Sequence, residues 1–185
     1  MYKNEVSLFG TIGKKGTIKN LGLMPTAFYG QVLGTVALSG FGTIDNVFIT
    51  VTKFIDYGDN YAGIVHTNYG TISNSVVYYM GYVAGTGAVA YTNSGNVENV
   101  YSVTNVLYHE NGICFESAEA FYTAWKVNGE VDTSNFHKDY WDFDDYLIPV
   151  CKGFSGFVGE TNIKNSLELT ANKTLLHAGE QVSLS

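Results

Sequence analysis

The sequence predicts an all-β chain, a parallel and right-handed β-helix of about four coils of 25 to 28 residues with a short helical, aromatic C-terminal cap. Three observations carry that prediction. A hexapeptide returns as Gly16-Thr17-Ile18-Lys19-Asn20-Leu21, Gly42-Thr43-Ile44-Asp45-Asn46-Val47, Gly70-Thr71-Ile72-Ser73-Asn74-Ser75 and Gly95-Asn96-Val97-Glu98-Asn99-Val100, at spacings of 26, 28 and 25 residues. A nearly constant period of this size marks a chain wound from one small unit. Between the copies, short apolar runs such as Phe48-Val51, Val76-Tyr79, Leu33-Leu38, Ala62-Val65 and Gly87-Ala90 are bounded by Gly, Asn and Ser, which reads as about three strands per turn. The composition agrees: 21 Gly, 14 Tyr and 11 Phe against 2 Pro suit short strands and tight turns.

Each position of the hexapeptide has a physical reason. Ile18, Ile44, Ile72 and Val97 should stack inside the coil as a core row. Asparagine tolerates the left-handed backbone of a tight corner, and a side-chain amide repeated on every coil can bond to the copies above and below. Asn20, Asn46, Asn74 and Asn99 are therefore expected to form a structural ladder rather than a ligand stripe.

The repeats occupy residues 1–115. After Cys114 the period breaks, and 116–152 reads as a cap. Ser117 can cap a short helix that places residues 118, 121, 122 and 125 on one apolar face. Next, Phe136 to Val150 interleaves aromatic and acidic residues, as a terminal unit covering an open hydrophobic end would. Residues 153–165 read as a linker. The last stretch, 166–185, shows two alternating strands separated by a turn. At the other end, Val6 to Gly10 begins in the middle of a rung, which leads us to expect earlier coils.

Several function classes are disfavoured. All ten basic residues are lysines and the net charge is −7, so the guanidinium forks that read phosphate and guanine edges are missing and nucleic acid is not an expected partner. No run of 18 apolar residues exists to span a membrane. Nucleophile-elbow, phosphate-loop, zinc-protease and dinucleotide signatures do not occur, His66 and His109 are isolated, and the acids Asp45, Asp56, Asp59 and Glu98 read as falling at different places in the period. No catalytic residue is expected. Cys114 and Cys151 allow either a disulfide or two separate buried thiols.

Two candidate sites remain. Tyr57, Tyr61, Tyr69, Tyr79 and Tyr82 are candidate ligand-binding residues if their rings are exposed, because aromatic faces suit sugar rings and protein partners; the competing reading is that they stack along the rod. Nine of the 17 acidic residues fall between 110 and 145, which makes Asp142, Asp144 and Asp145 candidate ligands for calcium. The ordered loop with a central Gly and distal Glu is missing, so the cap reading is preferred and no other cofactor is expected.

Ser7-Leu8-Phe9-Gly10 followed by Gly16-Thr17-Ile18-Lys19-Asn20-Leu21-Gly22-Leu23 resembles the GLUG-type repeats of bacterial cell-surface proteins, over roughly residues 6 to 115. The stretch 166–185 resembles the opening of a bacterial immunoglobulin-like domain. The resemblance implies an extracellular, surface-attached location and a non-catalytic role in adhesion or as a stalk, with a glycan or a host or bacterial surface protein as partner. The alternatives are a fragment of a β-helical polysaccharide lyase or glycoside hydrolase, and a phage tail-spike segment.

Overall fold

The computed structural model describes residues 5–25, 32–51, 60–80, 86–104, 111–143 and 146–154. Four levels of three strands each wind into a parallel β-solenoid: β1 (Glu5–Val6), β2 (Phe9–Ile12), β3 (Thr17–Leu23); β4 (Val32–Gly34), β5 (Ala37–Gly40), β6 (Thr43–Val51); β7 (Asn60–Ala62), β8 (Val65–Asn68), β9 (Thr71–Tyr79); and β10 (Thr86–Gly87), β11 (Ala90–Asn93), β12 (Asn96–Val103). The first strands of each level form one sheet (β1-β4-β7-β10), the second strands another (β2-β5-β8-β11), and the third strands a larger one that gains β13 (Ile113–Phe115) beside β12. Two sequence expectations are refined here. The apolar runs Leu33-Leu38, Ala62-Val65 and Gly87-Ala90 are corners, in which the chain bends between two short strands, and the hexapeptide, from the residue after its glycine, opens a long strand.

The repeated glycine is required by close approach. A β-carbon on Gly42 would lie 2.1 Å from the Gly16 carbonyl oxygen, one on Gly70 2.0 Å from that of Gly42, and one on Gly95 2.2 Å from that of Gly70. The column of carbonyls therefore excludes every other residue. Further along the same strands, Asn20, Asn46, Asn74 and Asn99 take φ of 54°, 54°, 47° and 50°, the left-handed region that asparagine tolerates. The kink shifts the strand's alternation, so that residues on both sides of the asparagine face inward, as Ile44 and Val47 do.

The interior is built from registered rows, Ile18-Ile44-Ile72-Val97, Leu21-Val47-Ser75-Val100 and Leu23-Ile49-Val77-Ser102. Fully burying a residue such as Ile49 or Val77 contributes about 1.5–3 kcal/mol. Ser75 interrupts an apolar row because the Val47 N–H donates to its Oγ at 3.0 Å while that hydroxyl donates to the Ser73 carbonyl. Ser102 donates to Cys114 Sγ at 3.0 Å, and Cys114 and Cys151 are both free thiols.

The aromatic segment covers a flank of the solenoid and does not sit over an end, contrary to the expectation from its sequence. Outward residues of the third sheet form the row Gly22-Phe48-Val76-Tyr101, and this row is the floor of a second core. Helix α1 (Ala118–Tyr122) starts at Ser117, whose Oγ accepts from the Ala120 N–H, and passes into a π-helical turn, Thr123–Asn128, that ends on Gly129 at φ 70°. From there the chain descends from the fourth level to the first. Phe121 meets Tyr101 edge-on at 5.7 Å, Trp141 meets Phe48 edge-on at 5.7 Å, and the Phe154 ring fills the space where Gly22 lacks a side chain. Strands β14 (Trp141–Asp142) and β15 (Val150–Cys151) pair antiparallel within this strap. Burial of rings in a flank explains the interleaved acids: Trp141 is buried while Asp139 is exposed.

Candidate ligand-binding face

The five tyrosines do not form one surface. Tyr69 is 51% exposed, whereas Tyr61 and Tyr79 are buried and so are corrected as exposed contact residues. Tyr79 has the same inward parity as Val51 and Val77, and its hydroxyl donates to the Ala88 carbonyl at 3.0 Å. Gly63 makes room for it, since a β-carbon there would lie 2.6 Å from the Tyr79 oxygen. Burial pushes the Tyr79 phenol well above its ordinary pKa. Tyr61 lies in the first sheet in register with Leu33, another buried residue. Tyr57 and Tyr82 lie outside the described residues.

A different exposed surface emerges at the corner between the second and third sheets. The rings of Phe41 and Tyr69 stack in parallel, 4.8 Å apart and 11° from coplanar, one level above the other. Outward residues on either side of this stack carry hydroxyls: Ser39 and Thr67, in register, precede it, and Thr43 and Thr71, also in register, follow it. The rows extend to the hydroxyls of Thr11 and Thr92 on one side and, on the other, to the hydroxyl of Thr17 and the side-chain amide of Asn96. Gly13 to Gly16 form a tight turn, closed by the Gly16 N–H donating to the Gly13 carbonyl at 2.7 Å, which packs against Gly42 and presents the exposed Lys14 and Lys15. A second stack, His66 on Tyr91 at 5.0 Å and 13°, stands on the outer face of the second sheet. Burial lowers the His66 pKa, partly opposed by Glu5, so the ring is neutral at pH 7.

This ridge escaped the sequence reading because Phe41 and Tyr69 belong to different repeats and sit just before the hexapeptide glycine. The available signal was their shared offset, one residue upstream of Gly42 and Gly70.

The expected asparagine ladder is broken: among the described residues only Asn99 and Asn74 bond to each other along the column. Asn99 Nδ2 donates to Asn74 Oδ1 at 3.5 Å, and Asn74 Nδ2 donates to Asp45 Oδ1 at 2.8 Å. Asn46 turns instead to the strap: its Oδ1 accepts from the His137 N–H at 3.0 Å and from Trp141 Nε1 at 3.1 Å. A second pair was missed by sequence reasoning, the buried Asn68 Nδ2 donating to the exposed Asn93 Oδ1 at 2.8 Å, with each Oδ1 accepting from the backbone N–H two residues on.

Asp45 and Glu98 occupy one outward row, Lys19-Asp45-Ser73-Glu98, which corrects the expectation that these acids fall at different places in the period. Both are the fourth residue of their hexapeptides. Burial opposes ionisation of Asp45, but hydrogen bonds from Asn74 and Ser73, the Lys19 ammonium at 3.6 Å and the Asn46 amide outweigh it and hold the carboxyl below its usual range. Such a carboxylate is saturated with donors and poorly suited to proton transfer. In the strap, Asp142 is half-buried opposite Val150, and Asp144 and Asp145 lie outside the described residues. Among the described residues no group of three His, Cys, Asp or Glu gathers for a metal, and no helix is long and apolar enough to cross a membrane. No family model, curated protein or solved structure matches this chain.

Proposed function

We propose that this chain is a non-catalytic repeat segment of a bacterial surface protein, a stiff extracellular module that binds glycans along one corner of its solenoid. The observation that carries this reading is the exposed Phe41-Tyr69 stack set between two rows of hydroxyls. A flat aromatic surface receives the C–H face of a pyranose, and flanking hydroxyls exchange hydrogen bonds with its ring substituents. Lys14 and Lys15 at the end of the ridge favour a sugar that carries carboxylate or sulfate. Registered rows at one rung spacing, about 4.8 Å, offer repeated contacts to an extended chain. The resemblance to GLUG-type surface repeats supports the extracellular setting, and the regular coil with a strap bound along its flank suits a spacer.

Alanine at both ring positions tests the site. In the Phe41→Ala/Tyr69→Ala double variant, affinity for any glycan that the parent chain retains should fall at least about tenfold with the melting temperature nearly unchanged, because both rings are over a third exposed. Unchanged affinity would remove this ridge from the binding site.

A further inference from the structure

The ring pair on the ridge has two outer faces, and they meet different surroundings. Equivalent backbone bonds set the column: the Phe41 N–H donates to the Ile12 carbonyl at 2.8 Å, the Tyr69 N–H to that of Gly40 at 2.7 Å, and the Ser94 N–H to that of Asn68 at 2.8 Å. Gly13, Phe41, Tyr69 and Ser94 are therefore stacked, one residue from each level. Only the middle two carry rings, whose inner faces cover each other at 4.8 Å. The outer face of Phe41 lies over Gly13, where an added β-carbon would meet nothing within 4 Å. The outer face of Tyr69 is turned to Ser94, which is small and exposed, and Tyr69 itself is 51% exposed. A step of open space thus stands at each end of the stack.

The walls of the two steps differ in charge. Beside Gly13 the turn presents Lys14 and Lys15, both exposed. Beside Ser94 the fourth level presents Thr92 and Asn96, in register with Thr67 and Thr71. Asn93 Oδ1 accepts from Asn68 Nδ2 and from the Gly95 N–H, which leaves its amino group to donate. Asn96 Nδ2 donates to Glu98 Oε1, which leaves the Asn96 side-chain oxygen to accept. Residues 90–103 contain one carboxylate, Glu98, and no lysine. A sugar carboxylate or sulfate is repelled from this step and attracted to the other. Donors and acceptors together beside an aromatic face suit the hydroxyls of a neutral pyranose.

We infer that the two outer ring faces are separate sugar subsites of opposite preference: the Tyr69 face at Ser94 takes a neutral pyranose unit, and the Phe41 face over Gly13 takes an acidic one. The inference rests on the glycan-binding role proposed for the ridge and narrows its ligand to a heteroglycan that carries both kinds of unit. The subsites lie three rungs apart, about 14 Å, so the glycan runs along the rod axis with an acidic unit at the first level. Ser94 determines specificity at the neutral end, because a branched side chain there would cover the Tyr69 ring.

Monosaccharide glycosides test the subsites one at a time, by NMR titration of the 185-residue chain. Methyl β-D-glucopyranoside should give saturable shifts at the Tyr69 ring and at the Ser94 and Asn96 amides, and the corresponding methyl glucuronide should shift the Gly13, Lys14 and Lys15 amides instead. Ser94→Leu fills the step without removing a ring; it should weaken the neutral glycoside at least about tenfold and keep the glucuronide shifts, while Ser94→Ala should keep both. Three results would overturn the inference and leave the glycan-binding role of the ridge standing: neutral-sugar shifts at the Gly13 end, unchanged glucoside affinity in Ser94→Leu, or a response to the glucuronide alone. Absence of ridge shifts with either glycoside would overturn it as well, and the Phe41→Ala/Tyr69→Ala comparison then decides the broader role by itself.

Discussion

Gly70 and Gly10 present the same substitution with opposite surroundings. A β-carbon on Gly70 would lie 2.0 Å from a backbone carbonyl oxygen, while one on Gly10 meets nothing within 4 Å. Gly70→Ala must push neighbouring coils apart and should cost roughly 3 kcal/mol or more, whereas Gly10→Ala should stay within about 1 kcal/mol of the parent; urea denaturation of both variants measures the difference. Asp45 provides a second test at this scale. Its folded pKa lies below the unfolded value, so its contribution to stability is complete above about pH 4 and is lost as pH falls through the folded value. Unfolding between about pH 2.5 and 6 should therefore show a steeper acid loss in the parent than in Asp45→Asn, and equal slopes would mean that the donors around Asp45 do not stabilise its charge. The repeated Gly and Asn were legible as obligatory residues because both act through the backbone. The orientation of Tyr79 was not legible, since two adjacent tyrosines point to opposite sides and the asparagine kink resets the alternation before them.

The strap is the element that sequence placed least well. Interleaved rings and acids announced one buried side, but the surface it covers is formed by Phe48, Val76 and Tyr101, each from a different repeat. Its anchoring acceptor, Asn46, was legible as a corner residue only, because its partners His137 and Trp141 lie 91 and 95 residues away. The helix start at Ser117 was legible from local capping chemistry, while the π-helical turn, which brings Ala124 and Trp125 together into the core, had no local signature. Trp141→Ala removes a buried ring and one donor to Asn46, and should cost about 3–5 kcal/mol. Because the interior rows form a separate cluster, near-ultraviolet circular dichroism of the strap rings should be lost before the far-ultraviolet strand signal. Simultaneous loss of both signals would show instead that coil and strap fold as one unit.

At the scale of the whole molecule, the two middle repeats build the ridge: a ring before Gly42 and before Gly70, with hydroxyls two residues to either side, fall in line because the backbone recurs, while Lys15 and Ser94 stand before Gly16 and Gly95. The fold was legible from period and turn chemistry, and the surface that the fold displays became visible only once neighbouring coils were stacked. Stiffness and repetition suit a module that holds an extended polymer without cutting it. The most direct measurement is retention of the 185-residue chain on a panel of plant, microbial and host glycans, with released reducing ends read in the same wells. The account predicts retention on at least one acidic glycan, sensitive to the Phe41→Ala/Tyr69→Ala substitutions, with no reducing ends released; release of reducing ends by the parent chain would contradict it.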